Sequence, residues 1–239
     1  MIRPVYLAAY YLSGYVGATC CFSLKVEGEP IERGPILVIG KHVSNWDIPV
    51  ISRAVRKLVG NFPHFEMGSF HGYAVLGKVI VFLKWCGGFP VMRSKDLMRL
   101  RHTSGQSKEE LRQLMRDVNE EAAEVRRQVI REGQAMCFFP EGTRDRSKVN
   151  RLRSVHEVEE ALELIEKEGV NVRIVPIIPC YGRKPKPFIP FLRRRPVVVK
   201  MLPPLSTEGR SAREVLAEAQ ILIEAHWSSE NDVADPRKS

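Results

Sequence analysis

Several common functional motifs are missing from this chain of 239 residues. It has no zinc-finger spacing, no RNA-binding signature and no helix-turn-helix pattern, so nucleic acid is the least supported class of partner. A glycine-rich nucleotide loop and internal repeats are also missing. His156-Glu157 begins like a metalloprotease zinc motif, but Glu160 stands where the second histidine would be. We therefore expect neither a metal nor a nucleotide cofactor.

The five cysteines form no recognisable disulfide framework. Their number is odd and their spacing is irregular, which is typical of a reducing compartment. Cys137 and Cys180 lie in apolar, strand-like runs, so we interpret them as small core residues.

Positive charge and apolar content are both plentiful. The formal net charge is +9, which favours polyanionic partners such as an anionic membrane surface or a phosphorylated substrate. The hydrophobic content of 44% is enough for one sizeable core.

An uncharged run of 21 residues, Pro4 to Leu24, lies near the N-terminus. It is long enough to cross a bilayer, but its tyrosines and two interior glycines favour a helix lying in the membrane surface. A membrane span and a soluble helix packed on the domain remain alternatives, whereas a signal peptide lacks its cleavage site. We expect residues 1–24 to form a membrane-associated helical segment.

Strand-like and helix-like runs alternate through the rest of the chain. This pattern predicts an α/β domain over residues 25–227, with a mixed, largely parallel sheet flanked by helices. Ser94 to Ser107 is polar and basic and is predicted as an exposed loop. Residues 228–239 are predicted as a disordered tail.

One short stretch has the composition of a proton-transfer site. The apolar run Ile36 to Gly40 leads into His42, and a helix-like run begins near Asp47. Across a strand-to-helix turn, this spacing can place the imidazole against the carboxylate, and such a pair can act as a general base. From these residues alone, Asp47 could equally be a helix N-cap and His42 an ordinary loop histidine.

Three further segments follow in order. They are Gly-Gly-Phe-Pro-Val-Met-Arg at 87–93, Phe-Pro-Glu-Gly-Thr-Arg at 139–144 and Val-Pro-Ile-Ile-Pro at 175–179. Together with Lys41 to Asp47, they resemble the four sequence blocks of the glycerolipid acyltransferase superfamily, which includes the 1-acylglycerol-3-phosphate acyltransferases. The resemblance runs from about residue 36 to about residue 202, and its first and third blocks are the specific ones.

The resemblance implies a reaction and a set of site residues. An acyl group would pass from an acyl thioester, on CoA or acyl carrier protein, to the hydroxyl of lysophosphatidic acid or a related glycerolipid. His42 and Asp47 would be catalytic, and no covalent enzyme intermediate would be needed. The resemblance assigns substrate binding to Arg93, Glu141, Gly142, Thr143 and Arg144. Arginine suits a phosphate because its guanidinium fork binds phosphate in a bidentate manner.

The blocks depart from the family pattern in three places. Lys41 stands where asparagine often precedes the first block, Glu66 to Ser69 contains no lysine, and Arg151 to Ser154 lacks a lysine-x-glycine element. These departures concern the identity of the acceptor more than the class of reaction.

A basic, proline-rich segment, Arg183 to Arg195, carries six basic residues and no acidic ones, with apolar residues between them. We predict that it meets an anionic membrane together with the N-terminal run, on the cytoplasmic side. It could instead hold the phosphates of a CoA donor or lie in solvent. The alternative for the whole chain is a non-catalytic membrane or lipid-binding protein on the same scaffold, which would not need the His42–Asp47 pair.

Overall fold

The computed structural model describes residues 19, 21–44, 46–61, 63–68, 87–182 and 194–234. In this part of the chain, seven strands form one sheet in the order β1-β7-β6-β2-β5-β3-β4. The strands are β1 (Phe22–Glu27), β2 (Ile36–Gly40), β3 (Pro63–Gly68), β4 (Gly88–Val91), β5 (Ala135–Phe138), β6 (Arg173–Tyr181) and β7 (Arg195–Met201). The predicted mixed, largely parallel sheet is confirmed.

The direction of the strands brings several loops to one edge of the sheet. Strands β6, β2, β5, β3 and β4 are parallel. Strand β7 is antiparallel to β6, and β1 runs parallel to β7. The C-terminal ends of the five parallel strands therefore share an edge with the N-terminal ends of β7 and β1. We call this the carboxyl edge.

Helices cover both faces of the sheet. They are α1 (Asp47–Val59), α2 (Ser94–Thr103), α3 (Lys108–Arg131), α4 (His156–Glu168) and α5 (Ala212–Ala234). Strand β2 lies at the centre of the sheet and contains no polar side chain. Ile36 and Val38 pack in the core beside α1, whereas Leu37 and Ile39 pack in the core beside α3, α4 and α5. Because alternate side chains point to opposite faces, a strand covered on both faces needs apolar residues throughout.

The predicted loop at Ser94 to Ser107 is wrong, because its first ten residues form α2. Leu97 and Leu100 pack with Met92 and with Leu111 of α3 in a separate apolar cluster. Only this narrow stripe is buried, and the basic residues on the exposed face of α2 obscured it in the sequence. Ser107 then caps α3, and Glu110 completes the capping box.

Both ends of the predicted domain also need correction. Phe22 to Leu24, predicted as the end of the apolar helix, belong to β1, where pairing with β7 satisfies the backbone groups. Residues 1–18 and 20, which make up the rest of that predicted segment, lie outside the described residues. The predicted disordered tail begins inside α5, which continues to Ala234 because no glycine or proline interrupts the chain before Pro236.

Candidate active site

The predicted pairing of His42 with Asp47 is present at the carboxyl edge, directly after the central strand β2. Nδ1 of His42 lies 2.7 Å from Oδ2 of Asp47. The Asp47 side chain is fully buried, whereas 18% of the His42 side chain is exposed. The acid therefore lies inside the protein and the imidazole reaches the surface.

The Asp47 carboxylate is held on both oxygens. Oδ2 also accepts hydrogen bonds from the backbone N–H groups of Val43 at 2.6 Å and Ser44 at 2.8 Å. Oδ1 accepts a hydrogen bond from the Tyr181 hydroxyl at 2.7 Å. Asp47 is the first residue of α1, and its carboxylate binds groups that precede the helix. It is therefore not the N-cap that the sequence allowed as an alternative.

The imidazole of His42 is oriented for proton transfer. An ionised carboxylate can only accept, so Nδ1 carries the hydrogen and Nε2 of the neutral ring is left as an acceptor. Among the described residues, Nε2 has no hydrogen-bond partner. The ring stacks on Phe139 with the centroids 4.2 Å apart. Phe139 fits there because Gly40 has no side chain, and a Cβ at that position would lie 2.7 Å from the Phe139 ring.

Glu141 holds the backbone of the histidine. Oε1 accepts from the N–H of His42 at 3.2 Å, and Oε2 accepts from the N–H of Asn150 at 2.9 Å and from Nζ of Lys41 at 3.0 Å. The Glu141 side chain has no exposed surface. Sequence reasoning assigned Glu141 to substrate binding; in this structure its buried side chain contacts the backbone of His42 and Asn150 and the Lys41 ammonium group.

Lys41 is the partner that sequence reasoning missed. It is fully buried, and Nζ also donates to the backbone carbonyl of Asp145 at 2.8 Å and lies 5.1 Å above the Trp227 ring. A buried ammonium group requires a counter-charge, which Glu141 supplies. The pair ties the loop after β2 to the loop after β5.

Arg93 lies where three loops converge. Its Nε donates to Asp96 at 3.0 Å, and Nη1 lies 3.5 Å from the carbonyl of Gly142. The guanidinium stands over Gly68 at the end of β3, and any Cβ there would overlap it. The structure thus brings Arg93 and Gly142 together, while Thr143 and Arg144 follow in the exposed part of the same loop.

Tyr181 was also missed, because a tyrosine ending an apolar strand carries no signal of its own. The convergence of parallel strand ends is the general clue that could have drawn attention to it. Burial and the adjacent Asp47 carboxylate raise the pKa of the Tyr181 hydroxyl far above its usual value. The hydroxyl therefore stays protonated and remains a donor to Asp47.

The described residues contain no group of three or more His, Cys, Asp or Glu side chains that could hold a metal ion. Among these residues, His42 could transfer a proton and the arginines could bind an anion.

Comparisons with known proteins identify the family and the fold. A model of the acyltransferase family matches residues 23–181. The crystal structure of the 1-acyl-sn-glycerophosphate (LPA) acyltransferase PlsC from Thermotoga maritima superposes with a TM-score of 0.52 and 17% identity, over 95% of this chain and 78% of that one. A comparison with curated proteins finds no match. At that identity the structural likeness concerns the fold, but the family model covers more than half of the chain. This chain therefore belongs to the acyltransferase family.

Proposed function

We propose that the protein transfers a fatty acyl group from an acyl thioester, acyl-CoA or acyl carrier protein, to the hydroxyl of lysophosphatidic acid or a related glycerolipid. The observation that carries this proposal is the hydrogen bond of 2.7 Å between His42 and the buried Asp47, which leaves Nε2 available at the surface. This arrangement suits a general base that acts on a bound hydroxyl.

The reaction needs no covalent enzyme intermediate, because the thioester is already activated. Nε2 of His42 takes the proton of the acceptor hydroxyl while its oxygen attacks the thioester carbonyl carbon. The tetrahedral intermediate then expels the thiolate, which takes the proton back from Nε2. Asp47 stays ionised throughout and stabilises the imidazolium. The products are the acylated lipid and the free thiol of the carrier.

Arg93 and Arg144 are proposed to bind the phosphate of the acceptor. Arg93 is supported by its placement, since Asp96 and the flat surface of Gly68 orient the guanidinium while 39% of the side chain stays exposed. Thr143 and Arg144 lie in the adjoining exposed loop, after the turn that Gly142 makes with a φ of 62°.

We also propose that the enzyme works at an anionic membrane surface, on its cytoplasmic side. Both predicted lipid-facing segments join the sheet at the carboxyl edge, because β1 begins at Phe22 and β7 begins at Arg195, and these two residues are in register. Trp46 is 42% exposed and packs edge-on against Phe22, with the ring centroids 5.3 Å apart. A membrane at this edge would present lipid directly to His42. No helix in the described part of the chain is long and apolar enough to span a membrane.

The deciding experiment is a thiol-release assay with purified protein, acyl-CoA or acyl carrier protein as donor, and a panel of lysophospholipids. We expect thiol release that depends on a phosphorylated acceptor and yields the diacyl product. Absence of transfer with every donor and acceptor, combined with retained binding to lipid vesicles, would favour the non-catalytic lipid-binding alternative.

A further inference from the structure

Two arginines adjoin the dyad and, among the described residues, have no acidic partner. Arg195, the first residue of β7, has its Cζ 5.1 Å from the centre of the Tyr181 ring, and its Nε donates to the Gly182 carbonyl at 2.8 Å. Nε of Arg146, in the loop after β5, lies 3.4 Å from the Val43 carbonyl. Since Val43 and Tyr181 both bind the Asp47 carboxylate, each arginine is one residue removed from the dyad.

Arg146 and Arg195 lie close enough to influence each other electrostatically. No carboxylate in the described part of the chain forms an ion pair with Arg146 or Arg195. Residues 183–194, which precede Arg195 in the sequence, contain no Asp or Glu, and neither do Phe22 to Val26 of the neighbouring strand β1. Burial lowers the pKa of Arg195, and the nearby charge of Arg146 lowers it further. Two like charges held together cost free energy that a bound anion would offset.

Arg195 begins a strand on one side of β2 and Arg93 follows a strand on the other, while Arg146 follows β5, the neighbour of β2. In the sheet order, β5, β3 and β4 lie on one side of β2, and β6, β7 and β1 lie on the other. Arg93 follows β4, whereas Arg195 begins β7 and stacks on the last residue of β6. Arg93 also differs in having an acidic partner, Asp96.

The proposed reaction brings two phosphorylated molecules to one base. The acceptor carries one phosphate, and the thioester is carried on a phosphorylated pantetheine arm that CoA and acyl carrier protein share. On the basis of the proposed function, we propose that Arg146 and Arg195 bind a phosphate of the acyl donor's carrier. The guanidinium fork matches a phosphate, and Arg195 is already held by Tyr181 and Gly182. With the acceptor phosphate at Arg93 and the carrier phosphate reaching Arg195, the two substrates would enter from different parts of the carboxyl edge.

The test uses Arg146→Gln, Arg195→Gln and the double variant, with Arg213→Gln as a matched control because Arg213 is exposed on the first turn of α5. We expect the apparent KM for acyl-CoA to rise about tenfold in each single variant and more in the double variant. The KM for the acceptor and the kcat should stay within about twofold of wild type. With acyl-pantetheine, a donor that lacks phosphate, wild type and variants should give equal kcat/KM.

Equilibrium binding of CoA in the absence of acceptor gives a second readout that does not require turnover. Wild type should bind CoA, and the double variant should bind it more weakly while unfolding at the same temperature. An unchanged KM for acyl-CoA in the double variant would overturn the proposal. A rise confined to the KM for the acceptor would also overturn it, as would variants that lose as much kcat/KM with acyl-pantetheine as with acyl-CoA. The same holds for variants that bind anionic vesicles more weakly but bind CoA as well as wild type does. By contrast, a wild type that binds CoA but transfers no acyl group would contradict the proposed function alone.

Discussion

The hydroxyl of Tyr181 donates to Oδ1 of Asp47 at 2.7 Å, on the carboxylate oxygen that His42 does not use. Strand β6 therefore fixes one oxygen of the Asp47 carboxylate, and the turn after β2 fixes the other. The orientation of the His42 imidazole depends on two strands that are neighbours in the sheet.

Replacing either member of the dyad should remove most of the activity. His42→Ala loses the base, and we expect acyl transfer to fall by about 10²–10⁴-fold with little change in unfolding temperature, because the ring is partly exposed. The activity of Asp47→Asn should decrease nearly as much, because the neutral amide no longer stabilises the imidazolium. Thiol release and thermal unfolding measure both effects. His156→Ala, on an exposed histidine, is the matched control. Wild-type turnover in His42→Ala would place the catalytic centre elsewhere.

Tyr181→Phe tests the positioning of Asp47. The variant leaves Oδ1 of a buried carboxylate without its donor, so we expect kcat to fall about tenfold while the KM for each substrate changes little. Steady-state kinetics and thermal unfolding of the purified variant measure the two effects. A purely structural role for Tyr181 would lower the unfolding temperature but leave the kcat of the folded enzyme unchanged.

Arg93→Ala and Arg144→Ala test the binding of the acceptor phosphate. Each should raise the apparent KM for lysophosphatidic acid with little loss of kcat, if the contacts are made already in the ground state. The difference from wild type should vanish with an acceptor that has no phosphate. Arg93→Lys keeps the charge but loses the guanidinium fork, so its KM for lysophosphatidic acid should lie between those of wild type and Arg93→Ala. Unchanged dependence on the acceptor in both alanine variants would remove these arginines from the site.

Breaking the buried pair of Lys41 and Glu141 should destabilise the protein. Lys41→Met leaves the Glu141 carboxylate buried without its cation, at a cost of about 3–5 kcal/mol in the free energy of unfolding. The double variant Lys41→Met/Glu141→Gln should recover part of that loss, because no uncompensated charge remains. Denaturant unfolding of wild type, Lys41→Met, Glu141→Gln and the double variant measures the coupling between the two side chains. Equal stability of wild type and Lys41→Met would mean that the pair carries no stabilising role.

Membrane binding should separate into an apolar and an electrostatic part. Removing residues 1–18 keeps β1 intact and should weaken vesicle binding at all salt concentrations, because apolar surface is lost. Changing Arg193 and Arg194 to Gln should weaken it mainly at low salt, because charge interactions are screened. Co-sedimentation with anionic and neutral vesicles distinguishes the two. Unchanged binding in both variants would mean that another surface meets the lipid.

Local patterns in the sequence were enough to predict the class of fold and the pairing of His42 with Asp47. Alternating apolar runs indicated the mixed α/β sheet, and the spacing of His42 and Asp47 placed the dyad across one turn, because only five positions separate the two residues. The same approach failed for α2, where only Leu97 and Leu100 mark the apolar buried face, Met98 is exposed and the other residues are polar or charged. A stripe that narrow is recognisable only once its partner helix is known.

The contacts that hold the dyad were decided by the tertiary structure alone. Lys41 meets Glu141 across 100 positions of sequence, and Tyr181 meets Asp47 across 134. Both contacts follow from the strand order β6-β2-β5, which puts three distant chain segments side by side at the carboxyl edge. Hydrophobic periodicity indicates which face of a strand is buried but not which strand lies beside it. The partners of Lys41 and Tyr181 therefore depend on the order of strands in the sheet, which hydrophobic periodicity does not predict.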